Sequence, residues 1–103
     1  MKAKNFEKRM IRDMLPIFKE YLSKGISKSL KKKAEKIYLE YLRVSRIIEI
    51  SEETNRMHGI LVDIAYYGKT GLHPNKTLIK EFVKKHRGIM SFSLEQENMR
   101  VMD

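Results

Sequence analysis

The chain predicts a mainly α-helical fold, a small helical domain with one long amphipathic helix, and three observations carry that expectation. Phe6, Met10, Met14 and Phe18 recur at helical spacing near the start. A longer stripe (Leu30, Ala34, Ile37, Tyr38, Tyr41, Val44 and Ile48) follows in the middle. A third (Leu78, Ile79, Phe82, Val83, His86, Ile89 and Met90) stands towards the end. With 103 residues and no cysteine, the chain is expected to form one domain, 1–103, that buries roughly two thirds of its unfolded surface without disulfide support.

Residues 1–25 read as a basic N-terminal helical segment. Ile11 and Leu15 widen its apolar face. Pro16 falls inside the pattern and is expected to divide it, because proline removes a backbone donor. A helix to about Leu15 is expected, then a second helix or a kinked continuation to Ser23. Gly25 supplies a stop.

Ser27 is a good N-cap for the strongest helix, expected over residues 27–57. At about 100° per residue its apolar stripe occupies an arc of about 120°. Lys28, Lys31, Lys32, Lys36, Arg43 and Arg46 fall opposite, interrupted by Glu35. Residues 60–67, rich in β-branched and aromatic types, read as a short extended segment, with a helical turn as the alternative. Gly68-Lys69-Thr70-Gly71 is turn chemistry. Pro74 opens a C-terminal helical segment over 74–102, weakened by Gly88, with Ser93 as cap of a last short helix.

Charge is the most informative feature for function. Residues 1–36 hold twelve Lys or Arg against four acids, whereas residues 37–103 hold ten against nine. A basic segment joined to a near-neutral remainder suggests one face for a polyanion and another for partners. Lys28, Lys31, Lys32, Lys36 and Arg43 are the candidate phosphate-binding residues, since such contacts need cations repeated along one surface. Lys8, Arg9 and Arg12 extend that surface if the first helix packs alongside. The competing account is a solvated lysine face that only keeps a helix soluble. Charge alone does not separate the two, and its concentration in the first third favours nucleic acid.

Other constellations carry less. Tyr38 and Tyr41 lie in the apolar stripe and read as core, while one of Tyr66 and Tyr67 is expected to be exposed. Gly68-Lys69-Thr70 looks like the end of a phosphate loop, but position 63, where that loop needs glycine, is Asp. His58, His73 and His86 lack metal spacing, and His86 reads as a partly buried, hydrogen-bonded imidazole. No nucleophile, base or cofactor motif assembles, so no enzyme activity, cofactor or metal is expected. No membrane span or secretory signal is expected either, and a cytoplasmic location follows.

The order of segments resembles the P27-like family of phage terminase small subunits. The likeness runs from Leu15-Pro16-Ile17-Phe18-Lys19-Glu20-Tyr21-Leu22 through Gly25-Ile26-Ser27 to Ala34-Glu35-Lys36-Ile37-Tyr38-Leu39-Glu40-Tyr41. It continues in Gly68-Lys69-Thr70-Gly71-Leu72-His73-Pro74-Asn75, the helix from Leu78 to Met90, and Arg100-Val101. The chain departs from the family where Ser91-Phe92-Ser93-Leu94 replaces its Gly-Leu-Thr-Pro and where Asn98 stands for an arginine. The resemblance implies a non-catalytic DNA-packaging protein that forms a homo-oligomeric ring, binds double-stranded viral DNA and recruits the large terminase subunit in the host cytoplasm. Two alternatives remain: a small phage protein that binds and inhibits a host nucleic-acid enzyme, and an RNA-binding protein.

Overall fold

The computed structural model describes residues 3–69, 71 and 73–87 of the chain. It is mainly helical, with four helices and no strand among the described residues: α1 (Ala3–Lys24), α2 (Lys28–Ser45), α3 (Glu52–Ala65) and α4 (Lys76–Lys85). The residues expected to form a last short helix from Ser93, and Arg100-Val101, lie outside the described residues.

Helix α1 runs through Pro16 without dividing. The proline is exposed, so the carbonyl of Arg12 that loses its partner faces water rather than the core. On the buried side Met10, Met14, Ile17 and Phe18 carry the stripe straight past it, all at most 4% exposed. Continuity of the core outweighs one missing backbone bond. Gly25 then takes a positive φ of 76°, and its N–H bonds the Tyr21 carbonyl at 2.9 Å, closing the helix as expected.

Ser27 caps α2, accepting the N–H of Leu30 at 3.0 Å. The expected 27–57 helix is in fact two. Helix α2 ends at Ser45, a turn follows, and Ser51 starts α3 by accepting the N–H of Thr54. Residues 60–67 are correspondingly not extended: α3 reaches Ala65 and a turn follows. Met57, Ile60, Leu61 and Ile64 stand at helical spacing and all point into the core, which overrides their β-propensity. Pro74 precedes rather than opens the last helix. Asn75 is the cap, accepting the N–H of Leu78 at 3.1 Å.

Helices α1 and α2 form an antiparallel hairpin, since Asp13 meets Tyr41 and Glu20 meets Lys33. Helix α3 returns beside α2, with the His58 ring stacked on Tyr38 at 4.7 Å. Helix α4 lies along α1, where Phe82 meets Phe18 edge-on at 5.8 Å, and touches α3 through Lys85 and Glu53. All four helices share one apolar cluster, with Phe18, Met10, Met14, Leu30 and Ile79 fully enclosed.

A polar clamp ties α1 to the start of α3. The Glu7 carboxylate accepts the Ser51 N–H at 2.9 Å and the hydroxyls of Ser51 and Thr54, both at 2.7 Å. Partial burial pushes the Glu7 pKa up, but the bonds from Ser51 and Thr54 outweigh it and hold the group below its ordinary value of about 4.5. Its anion also sits at the positive end of α3. A carboxylate with a lowered folded pKa contributes stability that is full above pH 4.5 and is lost as pH falls through the folded value. Glu7→Ala, which removes the acceptor of the Ser51 N–H and of the buried Thr54 hydroxyl, is expected to cost about 2–3 kcal/mol at neutral pH. Urea denaturation at pH 7 and pH 3 checks this, because the difference from the parent protein should shrink in acid.

Candidate nucleic-acid interface

Side-chain contacts define which way each helix faces. On α1, Asp13 and Glu20 turn to α2 and Glu7 turns to α3. On α2, Lys33 and Tyr41 turn to α1, while Tyr38 turns to His58 of α3. Stepping round both helices at about 100° per residue, one side of the hairpin is filled by α3. The exposed positions Lys8, Arg12 and Lys19 of α1 and Lys32, Lys36 and Arg43 of α2 fall on the other side.

Most of the predicted cations therefore share one surface, but three do not belong to its centre. Arg9 lies in the seam between the helices, in a cleft with Glu40, Tyr41 and Val44. Lys28 is exposed at the outer edge of α2. Lys31 is half-buried and turned towards the α3 flank, close in helical phase to Tyr38. Lys19, which sequence reasoning did not single out, completes the α1 row. Lys33, not one of the candidates, pairs with Glu20 at 3.1 Å.

The remaining cations make no close ion pair, although exposed Glu35 and Glu40 stand among those of α2. Among the described residues Lys8, Arg9, Lys28, Lys31, Lys32, Lys36 and Arg43 make no ion pair, and Arg12 only approaches its neighbour Asp13 at 3.9 Å. At the start of α2 their placement opposes the stability of the helix. Its first turn has no acid, and Lys28–Lys32 and Lys32–Lys36 are like-charged pairs four residues apart. Each such pair costs roughly 0.2–0.5 kcal/mol, and cations at a helix start oppose the helix dipole.

The surface is not wholly ionic. Leu39 is 52% exposed between Lys36 and Arg43, and Ile47 beyond them is 79% exposed. The aromatic residues stand elsewhere. Tyr41 is buried, its hydroxyl donating to Asp13, and burial followed by that carboxylate raises its pKa strongly. Tyr66 and Tyr67 are both half-buried, neither fully presented to solvent, and Tyr67 packs edge-on against His73.

His86 is partly buried as expected, though its Nε2 has no hydrogen-bond partner, and the fully buried imidazole is His58. His58 is 4% exposed and its Nε2 lies 2.9 Å from the Tyr38 carbonyl. Burial lowers its pKa against the opposing effect of that hydrogen bond, so it serves as a neutral core donor. His86 is half-buried against the Phe82 ring, 3.5 Å from Glu53. No cluster of three or more metal-binding side chains occurs among the described residues. No described helix is long and apolar enough to cross a membrane.

Comparison of the chain with protein-family models, with curated proteins and with solved structures gives no match in any of the three.

Proposed function

We propose that this protein is a non-catalytic binder of double-stranded DNA that grips the phosphate backbone with the outer side of the α1/α2 hairpin. The observation that carries the reading is the gathering of Lys8, Arg12, Lys19, Lys32, Lys36 and Arg43 on the side away from α3, without carboxylate partners save the loose Arg12–Asp13 approach. Cations held at a cost to their own helix have an external anion as the natural partner. No base-reading element is identified, so the contacts position rather than specify sequence.

In its narrower form the proposal is a packaging role: a homo-oligomeric ring that presents this surface repeatedly and recruits a large terminase subunit. Repetition around a ring would convert weak phosphate contacts into useful avidity. Support for this form is the resemblance in segment order, and the mass of the protein in solution tests it.

The general reading is tested by titrating a duplex oligonucleotide at several salt concentrations. The logarithm of affinity should fall linearly with the logarithm of salt, with a slope of about −0.9 for each phosphate neutralised. Absence of duplex binding at low salt overturns it. Preferential competition by RNA hairpins would instead indicate an RNA binder. The exposed Leu39 and Ile47 favour one second reading, a protein partner such as a host nucleic-acid enzyme, and tight capture of one protein without nucleic-acid affinity would establish it.

A further inference from the structure

Helix α4 carries a basic row that the charge balance of the chain conceals. Lys76, Lys80 and Lys84 stand four residues apart on it, Arg87 follows just past its C-cap at His86, and all four are exposed. Around the helix the three lysines occupy an arc of about 80°, opposite the buried Phe82. Among the described residues none of the four makes an ion pair. The cation that does, Lys85, is turned the other way, both carboxylate oxygens of Glu53 lying 3.1 Å from its ammonium. The row serves α4 only in part: Lys84 complements the dipole in the last turn, whereas the first turn has no acid and Lys76–Lys80 and Lys80–Lys84 repel.

The position of the row relates it to the hairpin surface. At its edge the Lys76 ammonium lies 6.0 Å from the ring centroid of Tyr21 on α1, whereas Lys85 and Glu81 border α3 through the cleft they share with Glu53 and Met57. The cations thus occupy the part of the exposed arc nearer α1. Helix α4 packs on α1 through Phe18, on the other flank from Asp13 and Glu20, which face α2. The exposed strip of Lys8, Arg12 and Lys19 runs between the two flanks.

We propose that the α4 row is a second phosphate-binding element, and that one molecule holds a duplex through three adjacent helices, α2, α1 and α4. The ligand is the same polyanion proposed for the hairpin, so this inference rests on that reading. Its chemistry is sequence-independent: three ammonium groups rising about 6 Å apart along the helix axis, and one guanidinium, each displacing a counterion.

The test is a salt titration of duplex binding by Lys80→Gln/Lys84→Gln/Arg87→Gln, which spares Lys76 and its approach to Tyr21. The slope should become shallower by about 0.9 for each phosphate no longer neutralised, roughly 2.7 for all three substitutions. The reverse variant, Glu81→Gln, removes the acid beside the row and should tighten binding at low salt. Circular dichroism before each titration confirms that the helices persist. Binding by the parent protein with an unchanged slope in the triple variant overturns the α4 inference alone. If Glu81→Gln also leaves affinity unchanged, the same conclusion follows without any loss-of-function variant. Failure of the parent protein to bind duplex overturns both this inference and the function from which it proceeds.

Discussion

Replacing Lys32, Lys36 and Arg43 together by glutamine should weaken duplex binding by about several hundred-fold near 0.1 M salt and flatten the salt slope by about 2.7. The structure selects these three from the larger predicted set because they face the same side as Lys8, Arg12 and Lys19. Lys28→Gln and Lys31→Gln, at the outer edge and on the α3 flank, should each cost less. A second measurement separates this result from simple damage. Removing the Lys28–Lys32 and Lys32–Lys36 repulsions should leave thermal stability unchanged or raise it by a few tenths of a kcal/mol per pair. A variant that binds worse yet folds at least as well shows that the cations serve a ligand. Weaker binding accompanied by loss of structure would assign them to the fold, and an unchanged slope would remove them from the interface.

Phe18→Ala is expected to have the largest effect on stability, about 3–5 kcal/mol. The side chain is 0% exposed and its ring meets Phe82 nearly at right angles, so it joins α1 to α4 inside the common core. Truncation removes that packing and leaves a cavity that the helices on either side can close only in part. Against a total of about 5–15 kcal/mol for a domain, this is a severe loss. The melting temperature should fall on the order of 20 °C, and chemical denaturation should show an earlier midpoint. Phe18→Leu, which keeps most of the volume, should cost much less. Equal effects of the two substitutions would contradict the enclosed, edge-on packing described.

The helical class and several boundaries were legible because their causes are local. Gly25 and Ser27 act through their own backbone and hydroxyl, and the Leu30–Tyr41 stripe follows from spacing alone. The break after Ser45 was not legible in the same way. Its C-cap is Arg46 in ordinary right-handed geometry, with neither glycine nor proline to mark it, and the apolar pattern continues to Ile48. Residues 60–67 misled because β-branched side chains suit strands, whereas the packing of Met57, Leu61 and Ile64 decides the outcome. The candidate cations could be named from their periodicity, but their division between two sides required the contacts of Asp13, Glu20 and Tyr38 with distant residues. The α4 row was visible in the spacing of Lys76, Lys80 and Lys84. Summing charge over residues 37–103 cancelled it against Glu95, Glu97 and Asp103, which belong to the end of the chain.

The inward turn of Asp13 towards the Tyr41 hydroxyl has a consequence for the field around the molecule. The hydrogen bond leaves the charge of the carboxylate in place, and partial withdrawal from water strengthens its pull on Arg12, 3.9 Å away. Arg12 therefore projects less positive potential than an unaccompanied cation of the α1 row. Asp13→Asn, which keeps an acceptor for the Tyr41 hydroxyl, would lift that offset and strengthen the attraction felt by an approaching polyanion.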